Sequence, residues 1–246
     1  MKIHMYWHQG ESALGYIGKI IDSTRQYCDV QIFDRFDVDS IIPHEYLSAV
    51  LKIKGEHQRI MAISDLMSFF VPFHVNDDTW FFDVDFVWLK HPRDFPWIMD
   101  DLNYFRQSNN EIGANAVFYP KAMLPAWKDY IIPTLDALKP RFGENDLSTC
   151  EYPLRNLPFG KVFKQAALFP LSMSDIHKYV NGRNTLAATC AKVLNKQSYG
   201  VHMWHGQFYR YSQHVKFGQS RFMELFDAIL TIRSHYADRQ SKHHTG

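Results

Sequence analysis

The sequence has no excess of charge of either sign. Its 27 lysine and arginine residues nearly balance 26 aspartate and glutamate residues, so the formal net charge is +1. Proteins that bind nucleic acid usually carry a basic patch or a clear positive excess. The composition therefore gives no reason to expect a nucleic-acid partner.

Cysteine is also scarce. The sequence has three cysteines, an odd number, and they are widely spaced: Cys28, Cys150 and Cys190. They match neither a disulfide framework nor the close pairs that are typical of zinc sites. We therefore expect the protein to work in a reducing compartment.

Long hydrophobic runs, internal repeats and low-complexity linkers are absent as well. A membrane-spanning helix needs about 20 predominantly apolar residues in succession, and no window of the sequence approaches this. The opening MKIHMYWHQG lacks the basic region followed by an apolar stretch that marks a signal peptide. The expectation is a soluble protein.

Apolar residues are nevertheless plentiful. Hydrophobic residues make up 46% of the 246 residues and aromatic residues 15%, which is enough for one sizeable core. The first 33 residues predict a strand over Lys2–Trp7, a helix over 16–27 and a strand over Asp29–Phe33. A strand, a helix and a strand in so short a span indicate a βαβ unit with parallel strands.

The hydrophobic pattern of the rest of the sequence also predicts a mixture of helices and strands, so we expect an α/β fold in a single domain. The further predicted elements are a helix over 57–71, a buried strand over Trp80–Leu89, strands over 112–119 and 166–169, and an amphipathic helix over Gln219–Arg233.

Two carboxylates, Asp83 and Asp85, interrupt the apolar segment Trp80–Leu89. Burying an ionised carboxylate without a partner is very costly, so such groups are paired or bind a metal. Because alternate residues of a strand point to the same side, we expect the two side chains to converge. A divalent cation would relieve their repulsion, and carboxylates with open positions are typical of Mg²⁺ or Mn²⁺ sites. The alternative is a strand end at which both side chains face water.

Five short segments follow one another in a recognisable order along the chain. They are Tyr6-Trp7-His8, Ser64-Asp65-Leu66, Asp83-Val84-Asp85, Asn115-Ala116-Val117 and His202-Met203-Trp204-His205-Gly206. In these segments and their order, the chain resembles glycosyltransferase family 32 and the related sugar transferases of capsule synthesis and of bacterial toxins. The chain departs from the family at Ser68, where the family usually has arginine, and at 78–81, where it usually has Gly-Gly-X-Tyr.

This resemblance implies a single-domain GT-A fold, which is a Rossmann-like nucleotide-sugar-binding fold with a central, mostly parallel sheet flanked by helices. One domain would span 1–246, with a nucleotide-binding part at about 1–92 and an acceptor-side and closing part at about 93–240. The implied activity is metal-dependent transfer of a sugar from a nucleotide-sugar, most commonly a UDP-sugar, to a glycan or surface-polysaccharide hydroxyl. The family works with retention of configuration and with Mn²⁺ or Mg²⁺.

The resemblance also implies roles for individual residues. Asp85 would bind the metal directly, and Asp83 would bind the ribose, the metal through water, or both. Asp65 would contact the ribose or the donor sugar, unless it is a solvent-facing residue of an amphipathic helix. Tyr6 or Trp7 would stack on the base, and the alternative for either is ordinary core packing.

The segment 199–208 mixes histidine and aromatic residues with two glycines, which is typical of a loop that covers a polar ligand. We expect it to lie beside the Asp-X-Asp motif although it is about 120 residues distant. His202 would bind the metal or the diphosphate, and Trp204 would close over the nucleotide and donate its N–H. A lone histidine is more often structural, and that alternative stays open.

Three further residues complete the expected site. Asn115 would lie near the donor sugar, as the resemblance implies. Glu144 and Asp146, in the segment Phe142–Leu147, would stand near the acceptor hydroxyl or the anomeric carbon. The alternative for that segment is a polar turn or a helix cap.

Two other classes of protein fit the same residues. One is a nucleotidyltransferase-like phosphate enzyme, which also uses paired aspartates, although the sequence has no Gly-rich basic loop for a triphosphate. The other is a non-catalytic carbohydrate-binding protein.

Golgi glycosyltransferases usually have an N-terminal membrane anchor, so its absence favours a cytoplasmic enzyme of bacterial or viral origin, possibly peripheral to a membrane.

Overall fold

The structure is a computed structural model of the chain. It describes residues 1–10, 17–106, 112–142, 153–154, 156–194, 198–204 and 221–243. The chain forms two compact units. Unit 1 comprises Met1–Lys19, Cys28–Val84 and Trp97–Phe163, and unit 2 comprises Ile20–Tyr27, Asp85–Pro96 and Lys164–Gly246. The single domain expected from the sequence stays a prediction.

Unit 1 contains a six-stranded sheet with the strand order β2-β1-β3-β6-β5-β7. The strands are short and rich in aromatic and β-branched residues, as buried strands usually are. Their bounds are β1 Lys2–Tyr6, β2 Asp29–Phe33, β3 Thr79–Phe82, β5 Asn103–Arg106, β6 Ile112–Tyr119 and β7 Lys161–Phe163.

Five of the six strands point the same way. β1 pairs in parallel with β2 and with β3, and β5 pairs in parallel with β7. Only β6 is reversed within this sheet, and it lies antiparallel between β3 and β5. Helix α1 (Ile17–Arg25) connects β1 to β2 and completes the βαβ unit that the sequence predicted.

Helices cover one face of this sheet. They are α2 Val38–Ile41, α3 His44–Val50, α4 Glu56–Val75 and α5 Leu124–Leu138. Their apolar residues share one core with sheet residues such as Phe81 and Val117. Trp127 of α5 is fully buried, and its indole N–H donates to the carbonyl of Phe69 in α4 at 3.2 Å. This bond joins the two longest helices of unit 1.

Unit 2 contains a two-stranded antiparallel ribbon, which we call the β4–β8 ribbon. It consists of β4 (Phe86–Trp88) and β8 (Gly200–His202). The unit also contains most of α1 and the later helices, α6 Gln165–Leu168, α7 Met173–Val180, α8 Leu186–Val193 and α9 Arg221–His243.

The tail helix confirms the amphipathic pattern expected for Gln219–Arg233. Five apolar residues at helical spacing are all buried, namely Phe222, Leu225, Phe226, Ile229 and Ile232. The strand predicted over 166–169 is wrong, because α6 occupies this segment and the strand lies earlier, at β7. A short apolar run has no periodicity that separates a strand from a helix, which explains the error.

The predicted class, α/β with a central, mostly parallel sheet flanked by helices, is confirmed. The arrangement is consistent with the expected GT-A fold. Within the part of the chain that the structure describes, no helix is both long enough and apolar enough to cross a membrane.

Candidate metal centre

The continuous strand predicted over Trp80–Leu89 is wrong. β3 ends at Phe82, residues Val84 and Asp85 form a turn, and β4 begins at Phe86. The two halves belong to different sheets, because β3 pairs with β6 whereas β4 pairs with β8. Asp83 and Asp85 are therefore not alternate residues of one strand, and it is the turn that sets the positions of their carboxylates.

The β4–β8 ribbon fixes the position of His202. Its register pairs Phe86 with His202 and Trp88 with Gly200. The backbone N–H of Met203 then donates to the carbonyl of Asp85 at 2.9 Å, which continues the ladder by one residue. Backbone pairing therefore brings His202 beside the Asp-X-Asp motif across more than one hundred residues of sequence.

Asp85 and His202 form a buried pair. Their relative exposures are 6% and 3%, and the Nε2 atom of His202 lies 3.0 Å from the Oδ1 atom of Asp85. This is hydrogen-bond distance for an imidazole and a carboxylate. The expected proximity of His202 to the motif is thus present, although 200–202 is a strand and not the loop that the composition suggested.

Asp83 completes a group of three ligands. One ligand atom each from Asp83, Asp85 and His202 can be chosen so that all three lie within 4.8 Å of one another. Asp83 is half-buried, whereas the other two are buried. Among the residues that the structure describes, this is the one group of three or more such side chains with metal-binding geometry.

The donor set fits a six-coordinate divalent ion. With metal–ligand bonds of about 2.1 Å, neighbouring ligand atoms of an octahedron are about 3 Å apart and opposite ones about 4.2 Å apart. The Asp85–His202 separation of 3.0 Å matches a neighbouring pair, and the ligand atoms of all three residues lie within 4.8 Å of one another. Two carboxylates and one imidazole leave about three positions for phosphate oxygens or water.

Trp204 differs from the expectation in one respect. Its side chain is buried, and its indole N–H donates to the carbonyl of Leu171 at 2.8 Å. The N–H group is therefore engaged within the protein and is not available to a nucleotide in this conformation. A buried donor needs an acceptor, and a backbone carbonyl supplies it here. The expected closure of Trp204 over a nucleotide stays a prediction.

The two aromatic residues expected to stack on the base are placed differently. Tyr6 is buried in the core of unit 1, and its hydroxyl lies 2.9 Å from Nδ1 of His8. Burial raises the pKa of Tyr6, and the negative charges of Asp34 and Asp37 raise it further. This environment favours the core-packing alternative for Tyr6. Trp7 is half-buried just beyond β1 and is the better placed of the two.

Several of the expected site residues lie at one end of the sheet, where β1 and β3 finish. Trp7 follows β1, and Asp83 follows β3. Since Phe82 pairs with Ala116, the backbone of Asn115 lies at the same end of the sheet. In open α/β sheets, ligands bind outside the carboxyl ends of the parallel strands.

The roles expected of Asp65, Glu144 and Asp146 stay predictions. Asp65 is half-buried on α4, and its carbonyl accepts a hydrogen bond of 2.7 Å from the Ser68 hydroxyl. Its contact with a donor sugar stays a prediction. Glu144 and Asp146 lie outside the described residues, so their roles also stay predictions.

Two residues that no sequence motif singled out lie beside the rings of His202 and Trp204: Phe169 contacts both rings, and Leu171 contacts Trp204. The ring of Phe169 lies 5.4 Å from the imidazole of His202 and 6.3 Å from the ring of Trp204, measured between centroids. Leu171 contributes its backbone carbonyl to Trp204. No sequence motif could have identified Leu171, because a backbone carbonyl is common to every residue.

Comparisons with known proteins add little to this site. No protein-family model matches the chain, and no curated protein matches it. Among solved structures, the chain is similar to the "crystal structure of a glycosyltransferase involved in the glycosylation of the major capsid of PBCV-1". The identity is 12%, the match covers 88% of this chain and 98% of that chain, and the TM-score is 0.47. So remote a likeness establishes no activity, and the function must be argued from this chain's own residues.

Proposed function

We propose that the protein is a metal-dependent glycosyltransferase that moves a sugar from a nucleotide-sugar to a hydroxyl group of an acceptor glycan. The observation that carries the proposal is the buried Asp85–His202 pair, at 3.0 Å, with Asp83 two residues before it. Two carboxylates and one imidazole offer ligand atoms within 4.8 Å of one another, and a bound cation would relieve the repulsion between the two carboxylates.

Asp83, Asp85 and His202 would hold the ion. A bound divalent ion would offset the negative charge that develops on the diphosphate leaving group. The imidazole in the donor set favours Mn²⁺ over Mg²⁺, because Mg²⁺ prefers oxygen ligands.

The donor is proposed to be a UDP-sugar, since uridine donors are the commonest for this fold class. Trp7, Asn115 and Asp65 are the residues proposed to contact it, and Glu144 and Asp146 are proposed for the acceptor side. Retention of configuration follows the family resemblance. A cytoplasmic location and a surface-polysaccharide acceptor belong to the same proposal.

Aromatic burial weighs against the carbohydrate-binding alternative. The largest fully buried side chains are Trp88, Trp127 and nine phenylalanine or tyrosine residues. Among the described residues, Phe36 is the one aromatic side chain in the set of exposed large apolar residues. The aromatic content that would suit a sugar-binding platform is therefore mostly used to fill the core.

The test is a calorimetric titration of the purified protein with Mn²⁺, followed by UDP, GDP and UDP-sugars with Mn²⁺ present. We expect Mn²⁺ to bind, UDP to bind more tightly than GDP in its presence, and a UDP-sugar to be slowly hydrolysed. A ligand that binds only the folded state also raises the melting temperature, which gives a second readout. Binding of nucleoside triphosphates with release of diphosphate would instead favour a nucleotidyltransferase. Donor turnover that persists in excess EDTA would contradict the proposal.

A further inference from the structure

Trp204 has an unusual backbone. Its φ is 53°, in the left-handed region that bulky side chains rarely adopt. The other non-glycine residue with positive φ among the described residues is Asn76, which ends α4. Asparagine is a common residue in that position, but tryptophan is not. A strained residue of this kind persists only where its surroundings hold it, and such residues cluster at functional sites.

The surroundings of Trp204 identify what holds it. Its indole N–H donates to the Leu171 carbonyl at 2.8 Å, which fixes the far edge of the ring. Met203, the residue before it, is hydrogen-bonded through its backbone N–H to the carbonyl of Asp85. The backbone and the side chain of this short segment are thus anchored at two separate points.

The ring of Trp204 packs against the imidazole ring of His202. The two ring centroids are 4.6 Å apart, and the planes meet at 74°. Phe169 contacts the same imidazole at 5.4 Å and also contacts Trp204 at 6.3 Å. The three rings therefore contact one another, and the orientation of the imidazole that they define is the one with Nε2 directed at Asp85.

We infer that Trp204 is a positioning residue that holds the imidazole of His202 in its metal-binding orientation, an inference that rests on the proposed function. Trp204 does not touch the metal or the nucleotide in this role. Residues that support a metal ligand commonly affect metal affinity by about 10- to 100-fold when they are changed. The inference replaces the expectation that the indole N–H contacts the donor.

The chain provides a matched control in Trp127. Trp204 and Trp127 are both buried, and both donate their indole N–H to a backbone carbonyl. Trp127 packs against Phe69 and Tyr119 in the core of unit 1, whereas Trp204 packs against His202. Trp204→Phe and Trp127→Phe therefore remove the same chemical group from two different places.

The experiment measures Mn²⁺ affinity without nucleotide, together with the imidazole nitrogen coupling in the electron spin-echo spectrum of bound Mn²⁺. We expect Trp204→Phe to weaken Mn²⁺ binding about tenfold or more and to reduce or broaden the nitrogen coupling. Trp127→Phe should leave both readouts unchanged, although its stability falls. Phe169→Leu, which removes the other ring and keeps the Trp204 hydrogen bond, should act in the same direction as Trp204→Phe and serves if that variant does not fold.

Three other outcomes would overturn either the inference or the proposed function. If wild type binds Mn²⁺ and both Trp204→Phe and Phe169→Leu bind it equally well with the same nitrogen coupling, the inference is overturned and the proposed function stands. A Trp204→Phe protein with normal Mn²⁺ affinity but weakened UDP affinity also overturns it, in favour of direct donor contact. If wild type does not bind Mn²⁺, the proposed function itself fails.

Discussion

The six-stranded sheet of unit 1 and the β4–β8 ribbon of unit 2 use buried polar groups differently. In the sheet, the core is apolar apart from isolated groups such as His4 and Asn103. The ribbon is only three residue pairs long, yet it brings a buried carboxylate and a buried imidazole to 3.0 Å. Such a pair contributes little net stability, because desolvation offsets its attraction. The core of the sheet is therefore mainly apolar, whereas the ribbon sets the geometry of a buried polar pair.

The largest effect expected from this difference concerns Asp85. Asp85→Asn keeps the shape of the side chain and removes its charge, so we expect metal-dependent turnover to fall about 1,000-fold or more, since a metal contributes several kcal/mol to such reactions. Initial rates of UDP-sugar turnover with Mn²⁺ measure this loss. His202→Ala should likewise lower turnover far more than it lowers the melting temperature.

Asp175 provides the control for Asp85. It is the other buried aspartate among the described residues, and it forms an ion pair with Lys192 and a capping box with Ser172 at the start of α7. Asp175→Asn should reduce stability and leave Mn²⁺ affinity unchanged. Equal losses of Mn²⁺ affinity in the two variants would remove the distinction between the ribbon and the rest of the protein.

The next effect concerns the packing of the ribbon at Gly200. A Cβ atom added there would lie 2.5 Å from the ring of Phe86, which is too close for a non-bonded contact. We expect Gly200→Ala to lower the free energy of unfolding by about 1–3 kcal/mol, as overpacking does, and to weaken Mn²⁺ binding because β8 carries His202. Urea denaturation and the Mn²⁺ titration measure the two effects. Phe86→Leu in the same chain should restore part of both, and strictly additive losses would show that the two residues do not clash.

The third prediction concerns His4, a buried histidine of the sheet. Burial lowers the pKa of His4 from 6.5 to about 4, with the charge of Lys2 adding to the shift. Below pH 6.5 the unfolded chain binds a proton that the folded chain does not, so this residue makes the protein less stable as the pH falls from 6.5 towards 4. We expect a loss of about 2 kcal/mol between pH 7 and pH 5 from His4 alone.

The measurement is urea denaturation of wild type and of His4→Phe at both pH values. The difference in pH dependence between the two proteins isolates His4, because their other groups titrate alike. Parallel losses of stability would show that His4 is protonated in the folded sheet, and its burial would then not separate the sheet from the ribbon.

The smallest effect concerns Tyr119 in the sheet. Its side chain is fully buried, its hydroxyl has no hydrogen-bond partner among the described residues, and burial raises its pKa well above the usual value. Removing such a hydroxyl relieves a desolvation cost, so Tyr119→Phe should raise the free energy of unfolding by about 0.5–1 kcal/mol. Thermal or urea denaturation measures this gain. A clear loss of stability would reveal a hydrogen bond to the hydroxyl and would make the sheet core more polar than described.

The elements that have strong local signals could be predicted from residue types and spacing alone. The strand Asp29–Phe33 and the apolar face of the tail helix follow from residue types and periodicity, because side-chain burial imposes a repeat on the chain. The need of Asp83 and Asp85 for a partner was also legible, since two carboxylates in an apolar segment require compensation.

The way in which these groups come together depends on long-range strand pairing. The break after Phe82 depends on β6 and β8, which pair with the two halves of the segment from distant parts of the chain. The position of His202 depends on the same ribbon register, and the engagement of the Trp204 N–H depends on the carbonyl of Leu171. Backbone partners of this kind leave no mark in residue identity, because every residue offers the same carbonyl and nearly every residue the same N–H. The sequence therefore specified which groups need a partner, and the pairing of strands decided which partner each one found.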